Sequence, residues 1–471
     1  MSIEFSKKLA AHETPIPGVV LYDLPVHGDN RGWFKENWQR EKMLALGLPD
    51  FRPVQNNISF NETAGTTRGI HAEPWDKFIS VATGRIFGAW VDLREGPSFG
   101  AVFTAELDPS QAIFIPRGVG NAFQTLEDNT AYTYLVNDHW SADAQGQYTF
   151  LNLADETAAI RWPVSLEEAE LSDKDRAHPR LAEVVPMPPK KTLVVGADGQ
   201  LGKALRELYG GDASVEFAGR AEFDLSSEAS FTERNWKSYS TIINAAAYTA
   251  VDAAETAEGR AAAWAINVTA VARLARTAVE QDLTLVHVSS DYVFDGTTES
   301  HDETEAPTPL GVYGQTKAAG DAVVSVVPRH YIVRTSWVIG EGNNFVRTMA
   351  SLAGRGVEPS VVDDQIGRLS FTQDIAAGIR HLLDSGAPYG VYNLSNGGEA
   401  QSWADIAGDV YELTADSRAA VTGVSTEEYF RGKTVSPRPA NSVLDLSKIK
   451  NTGFEPPSAK DRLQEYLGHR H

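Results

Sequence analysis

Tyr313 and Lys317 stand in a YxxxK spacing, one helical turn apart, which brings an ammonium and a phenol onto one face. A positive charge so placed is expected to lower the phenol's pKa and ready it for proton transfer. The spacing is common by chance and gains weight from what precedes it: Ser290 ends an apolar run, and Gly196, Gly199 and Gly202 follow Leu193-Val194-Val195 in GxxGxxG spacing. Such glycines let the backbone turn tightly against a pyrophosphate, which rests on the free N–H groups and positive dipole end of a helix. Far upstream, His71 in Arg68-Gly69-Ile70-His71 forms a second centre. An imidazole titrates near neutral pH and serves as a general base.

These groups need two different frames. After the glycine turn, Leu201, Ala204, Leu205 and Leu208 share one helical face, so the segment reads strand, turn, helix. A second strand, 215–218, ends at Gly219-Arg220, where an arginine suits the 2′-phosphate of NADP and an acid would suit NAD. The strand 241–244 runs into Ala245, Ala246 and Ala247, small enough to let a cofactor lie close to the backbone. Residues 283–289 are nearly all apolar, as in a parallel strand covered on both faces, and deliver Ser290, Asp291 and Tyr292 to the carboxyl edge where such sheets bind ligands. Ser402 to Asp405 spells a helix-capping start. From 54 to 150 the pattern changes to short strands broken by glycine and proline, which predicts an antiparallel barrel or jelly roll whose mouth encloses a ligand.

The run VPMPPKK separates the frames, giving domains over 1–185 and 191–471 and an extended proline spacer over 186–190 that is expected to stay out of any core. With 42% hydrophobic and 22% charged residues the chain is of soluble globular type, and no apolar run approaches the ~20 residues of a membrane span. The N-terminus lacks a signal-peptide apolar core, so a cytoplasmic protein is expected. Zero cysteines exclude thiol nucleophiles, disulfides and cysteine metal sites. A net charge of −21 argues against polymeric nucleic acid, while leaving room for a nucleotide held by local arginines.

Residues 15 to 183, above all RGIHAEPWDK, resemble the dTDP-4-dehydrorhamnose 3,5-epimerase family of cupins. The resemblance implies an all-β cupin in which His71 is the base, Asp175 orients it and Lys77 faces the enolate oxygen. It also implies a dTDP-sugar substrate held by Arg31, Glu36, Gln55, Asn57 and Arg68, and a homodimer formed through this domain. No metal is expected: a metal cupin would place a second histidine two residues after His71, and Glu73 stands there with no evident partner. In one place the chain departs from the pattern. The family's opposite-face donor is a tyrosine in a VNDYW-like segment, and this chain reads Val136-Asn137-Asp138-His139-Trp140. His139 is then the expected donor, as imidazolium, with an unperturbed pKa of about 6.5 against about 10 for a phenol. Tyr132 and Tyr134, sharing one strand face, are alternative donors or core residues.

Residues 191 to 469 resemble the extended short-chain dehydrogenase/reductases, and more narrowly dTDP-4-dehydrorhamnose reductase, through GADGQLG, NAAAYTAVDAAE, SSDYVFDG, RTSWV, GNNF and RPANS. That implies a Rossmann-type doubly wound parallel sheet with a small substrate-binding subdomain. Tyr313 becomes the acid to the sugar C4 oxygen, Lys317 the partner of the tyrosine and the nicotinamide ribose, and Ser290 the hydroxyl that polarises the ketone. Cofactor contacts fall on Gly196, Gly199, Gln200, Leu201, Arg220, Asp224, Leu225 and Ala245 to Ala247. Substrate contacts fall on Asp291, Tyr292, Trp337, Asn344 and Arg438. NADPH is the expected cofactor with NADH as the alternative, and the sequence leaves open whether Mg²⁺ takes part. DQIGRLS lacks the proline of the family's DQxGxPT, which is expected to loosen a substrate loop. Since both halves resemble enzymes of successive steps on one sugar nucleotide, the chain reads as a fused epimerase and reductase. The alternative is a working reductase that carries a catalytically impaired epimerase-like module.

Overall fold

The computed structural model describes residues 5, 7–140 and 146–468, which divide after Pro189 into two compact units.

The first unit is antiparallel. Its strands are β1 (Ala10–Glu13), β2 (Val20–Asp23), β3 (Val26–Asp29), β4 (Gly32–Lys35), β5 (Gln55–Asn61), β6 (Thr67–Ala72), β7 (Lys77–Thr83), β8 (Ile86–Asp92), β9 (Val102–Leu107), β10 (Gln111–Ile115), β11 (Val119–Thr125), β12 (Thr130–Val136) and β13 (Thr149–Phe150). One sheet has the order β1-β2-β10-β7-β12-β5 and the other β13-β6-β11-β8-β9, while β3 and β4 form a separate hairpin. Strand alternation sends Ile79, Val81, Trp90, Ile113, Phe123 and Tyr132 into one buried cluster drawn from both sheets. At ~1.5–3 kcal/mol for each fully buried large apolar side chain, this layer fixes the two sheets against one another. On the edge strand β5 the alternation also leaves Ile58 69% and Phe60 56% exposed.

The proline spacer does pack, contrary to the sequence expectation. Met187 is buried in a cluster with Leu93 and Leu181. Its N–H donates to Leu93 O at 2.8 Å, and its carbonyl accepts from Glu95 N–H at 2.9 Å. Pro186, Pro188 and Pro189 have no donors to offer, but Met187 between them keeps both backbone groups and a pliable thioether that fills the gap. Arg117 Nη1 clamps the next carbonyl, that of Pro188, at 2.8 Å.

The second unit is built on the parallel order β15-β14-β16-β17-β18 followed by the strand Gly390–Asn393, where β14 is Lys191–Val195, β15 Val215–Ala218, β16 Tyr239–Asn244, β17 Thr284–Ser290 and β18 His330–Thr335. Within β14, Leu193 and Val195 face the helices Val271–Glu280 and Val312–Val324, while Val194 faces the helices Gln200–Tyr209 and Thr372–Asp384. The sheet is therefore wound on both faces. Its order reverses between β14 and β16, and ligands bind at such a switch point. A smaller lobe packs the helices Phe345–Ala353, Trp403–Ala415 and Ala459–Gly468 around Val346, Met349, Ile406 and Leu463. Ser402 and Asp405 form the expected capping box. Among the described residues no helix is long and apolar enough to cross a membrane.

Candidate active sites

In the first unit a cavity of about 960 Å³ opens beside the two sheets and is lined from both. β6 supplies Arg68 and His71; β7 supplies Lys77, and β12 supplies Tyr132 and Tyr134. His71 Nε2 lies 2.8 Å from Asp175 Oδ1. Asp175 is fixed by the short helix Asp173–Arg176, whose cap Ser172 accepts from the Asp175 N–H, and its other oxygen accepts from Gly69 N–H at 3.4 Å. Burial pushes this carboxyl up, but the hydrogen bond and charge of His71 and the Gly69 N–H outweigh it, and the group ends below its ordinary range. With Nε2–H given to the carboxylate, Nδ1 is left with the lone pair that takes a substrate proton.

His178 also comes close, with Nε2 3.9 Å from Asp175 Oδ1 and its ring stacked on Phe150. Burial, then the neighbouring His71, holds its pKa down. Three ligand atoms of His71, Asp175 and His178 thus fall within 4.8 Å of one another, although Asp175 is already engaged by His71. Phenols come from the other sheet and from the segment before β13. Burial and then the charge of Glu73 raise Tyr134 to about 12, and the same two causes push Tyr148 higher still. Both remain protonated, as an acid must. Tyr132 is buried and shares hydrogen bonds with Asn121.

Asn57, Arg68, His71, Lys77 and Asp175 are brought together; four other expected residues are not. His139 is exposed and absent from the lining, because its backbone turns on the Asp138 carboxylate while Trp140 takes the place at the rim. Arg31 sits on the β3–β4 hairpin with its side chain 84% exposed and paired to Asp29, and Glu36 pairs with Lys42 at 2.6 Å. Gln55 is occupied by Asn57 and the Trp140 N–H. Tyr148, Trp75, Phe150 and His178 line the cavity without having been read from the sequence as site residues. An aromatic in a strand pattern looks the same whether it faces a core or a cavity.

In the second unit the glycine turn leaves β14 with Gly196 at φ +80°, and a Cβ there would meet the Ala246 backbone at 2.7 Å. A Cβ on Gly202 would strike the Gly196 carbonyl oxygen. The glycines therefore let the first turn of the helix Gln200–Tyr209 close on the loop that holds Ala245 to Ala247. Leu201, on the apolar face of its helix, and Leu225, in the turn after β15, bury their side chains in the two cores, so only their backbones remain for a cofactor. Arg220 is exposed, with Nε 3.8 Å from Asp224.

Ser290 ends β17, and its hydroxyl donates to Asp291 at 2.9 Å. Asp291 is buried, pushed up to about 6 by burial, and hydrogen-bonded by Ser442 and Ser290. Tyr313 is buried edge-on to Tyr292 at 5.5 Å. Its phenol is raised, not lowered. Burial dominates, Asp291 adds to it, and a hydrogen bond with Ser290 opposes it. Lys317 donates instead to the Val288 carbonyl at 2.7 Å, and burial brings it down to about 8 against the opposing charge of Asp321.

Two residues expected to contact substrate have partners within the protein. Asn344 caps the helix Phe345–Ala353, accepting from Arg347 N–H and donating to Gly340 O and the Tyr466 hydroxyl. Trp337 stacks on Trp403 at 3.8 Å in the smaller lobe. Arg438 pairs with both Asp252 oxygens, lies 5.0 Å over the Phe430 ring, and borders a cavity of about 420 Å³ shared with Arg431. In the DQIGRLS loop Arg368 donates to the Gly398 and Leu444 carbonyls and Leu369 is buried.

A proton-abstracting dyad facing protonated phenols, followed by a nucleotide-type sheet with Ser, Tyr and Lys at its carboxyl edge, defines a two-domain enzyme of proton and hydride transfer. Comparison with known proteins narrows this. A family model described as dTDP-4-dehydrorhamnose 3,5-epimerase matches residues 13–183, and one described as the RmlD substrate binding domain matches residues 190–471. The chain is 51% identical over 192 residues to the protein RmlC homolog of Streptococcus pyogenes serotype M6, covering 40% of this chain and 96% of that relative. It is 36% identical over 283 residues to the dTDP-4-dehydrorhamnose reductase of Aggregatibacter actinomycetemcomitans, covering 56% of this chain and 94% of that one. A crystal structure of dTDP-4-dehydrorhamnose reductase from Bacillus anthracis in complex with NADP matches at TM-score 0.55 and 31% identity, covering 60% of this chain and 100% of the other. The chain belongs to both families, epimerase in its first unit and reductase in its second. It is a bifunctional enzyme of dTDP-rhamnose formation, and the reading of an impaired epimerase module is not favoured.

Proposed function

We propose that His71 removes the protons at C3 and C5 of dTDP-4-dehydro-6-deoxy-D-glucose, that Lys77 receives the enolate oxygen, and that Tyr134 returns a proton on the opposite face. The observation that carries this reading is the placement of His71, held by Asp175, on a strand of one sheet and of Tyr134 with Lys77 on strands of the other, all lining one cavity. A base on one wall and a protonated phenol on the other is what inversion next to a ketone requires. Arg68 and Asn57 hold the nucleotide end. The test is solvent deuterium uptake against inversion without NADPH: Tyr134→Phe keeps uptake and loses inversion, and His139→Phe keeps both.

In the second unit NADPH gives hydride to C4, Tyr313 protonates the resulting alkoxide, Ser290 orients the phenol, and Lys317 holds the nicotinamide ribose. Gly196, Gly199, Gln200 and the backbones of Leu201 and Ala245 to Ala247 cradle the pyrophosphate, with Arg220 beside the 2′-phosphate. This preference for NADPH is supported by the exposed position of Arg220, held only by Asp224 at 3.8 Å, and is checked by the ratio of kcat/KM for NADPH over NADH, expected to fall at least tenfold in Arg220→Ala. Arg438 is the candidate diphosphate ligand of this site. The exposed apolar face of β5 and Phe34 on the β3–β4 hairpin, 66% exposed, support a homodimer through the first unit. Light scattering on an Ile58→Lys, Phe60→Lys variant checks it, with a shift to monomer expected. The reaction and its cofactor suit a cytoplasmic enzyme.

A further inference from the structure

Glu73, which the sequence leaves without a partner, has one. Its Oε1 lies 2.7 Å from Lys77 Nζ, with side-chain exposures of 11% for Glu73 and 6% for Lys77. The pair lies in the lining of the epimerase cavity, and the Lys77 ammonium sits 5.2 Å over the Tyr134 ring. Around it are the phenols of Tyr132, Tyr134 and Tyr148, all raised in part by the Glu73 charge, and Arg68 from β6. His71 shares the cavity but has its own carboxylate in Asp175, with His178 behind it. The cavity thus holds two separate carboxylate pairs, His71 with Asp175 and Lys77 with Glu73. An isolated ammonium in such a place pays for desolvation and is free to swing among several rings, whereas a carboxylate at 2.7 Å fixes both its charge and its aim.

We propose that Glu73 is a positioning residue for epimerisation, holding the Lys77 ammonium where the enolate oxygen forms. This rests on the reading of Lys77 given above. Because charge on that oxygen develops only as the proton leaves, a misplaced ammonium is felt in the transition state more than in substrate binding. The loss therefore appears in kcat and not in KM, a split that a general loosening of the barrel would not give.

The test uses the full chain without NADPH, following deuterium uptake and inversion on dTDP-4-dehydro-6-deoxy-D-glucose. Glu73→Gln is expected to lower kcat at least tenfold with KM within threefold, and Glu73→Asp to recover most of the loss. In a Lys77→Met background the further change Glu73→Gln is expected to move kcat less than threefold, since the residue acts only through the lysine. This double variant removes both charges together, so it keeps the test decisive even if Glu73→Gln alone fails to fold. A kcat within threefold of the parent for Glu73→Gln overturns the proposal, as does a further tenfold loss on adding Glu73→Gln to Lys77→Met. If Lys77→Met itself leaves kcat unchanged, the reading of Lys77 fails first and the role of Glu73 falls with it.

Discussion

Asp175 Oδ1 meets His71 Nε2 at 2.8 Å although 104 residues separate the two in the chain. One partner comes from a barrel strand and the other from a one-turn helix that the strands do not include. The base is therefore complete only when the segment after the barrel has docked. Asp175→Asn keeps the shape but loses the charge that holds the imidazole's tautomer, and kcat for deuterium uptake at C3 and C5 is expected to fall by about 10²–10⁴.

The same carboxyl predicts an acid limb in stability. Its pKa in the folded protein lies below the unfolded value of about 3.9, so its contribution is fully present above that value and is lost as pH falls through the folded one. Asp175→Asn removes this dependence. Urea midpoints of the first unit between pH 2.5 and 5 are the measurement, with a shallower slope expected for the variant.

Lys317 predicts a basic limb for reduction. Burial brings its pKa down to about 8, so the ammonium is lost as pH rises through that value, and NADPH-dependent turnover is expected to decline there with the slope of one proton. Asp321, whose charge opposes the shift, sets the midpoint, and Asp321→Asn should move it to lower pH. Rate profiles from pH 6 to 10 decide it.

Tyr313→Phe is expected to abolish reduction and spare NADPH binding, read by cofactor fluorescence. Retained turnover within tenfold, a barrier change of only ~1.4 kcal/mol, would remove Tyr313 from the role of acid.

Met187→Ala should destabilise the first unit by about 2 kcal/mol, as for a methionine truncated in a core. Thermal unfolding of the full chain is the readout, with the reductase transition unmoved.

The strand–turn–helix at 191–209 and the carboxyl-edge placement of Ser290 were legible in the sequence because both depend on local patterning: apolar runs of strand length, glycines at fixed spacing, and a four-residue offset on a helix. What the sequence could not show were choices made by tertiary contact. Asn344 looks the same as a cap or a ligand until Arg347 and Tyr466 are placed beside it. The letters of one segment point to His139, while the cavity is lined from the strand face that carries Tyr134. The sequence shows the charge four residues from Tyr313 but not the burial that raises its phenol. Glu73 had no visible partner because Lys77 reaches it across a turn that only the folded chain defines.

The anchoring of Met187 also decides where the chain is open to cleavage. The pinned residues end at Pro188, whose carbonyl is held by Arg117, and the first strand of the second unit begins at Lys191. Between them lie the exposed residues Pro189 and Lys190. A trypsin-like protease that cuts after Lys190 would release an epimerase with its last core residue in place and a reductase with its first strand whole. A cut at this seam leaves Met187 with the core of the first unit and the strand Lys191–Val195 with the second.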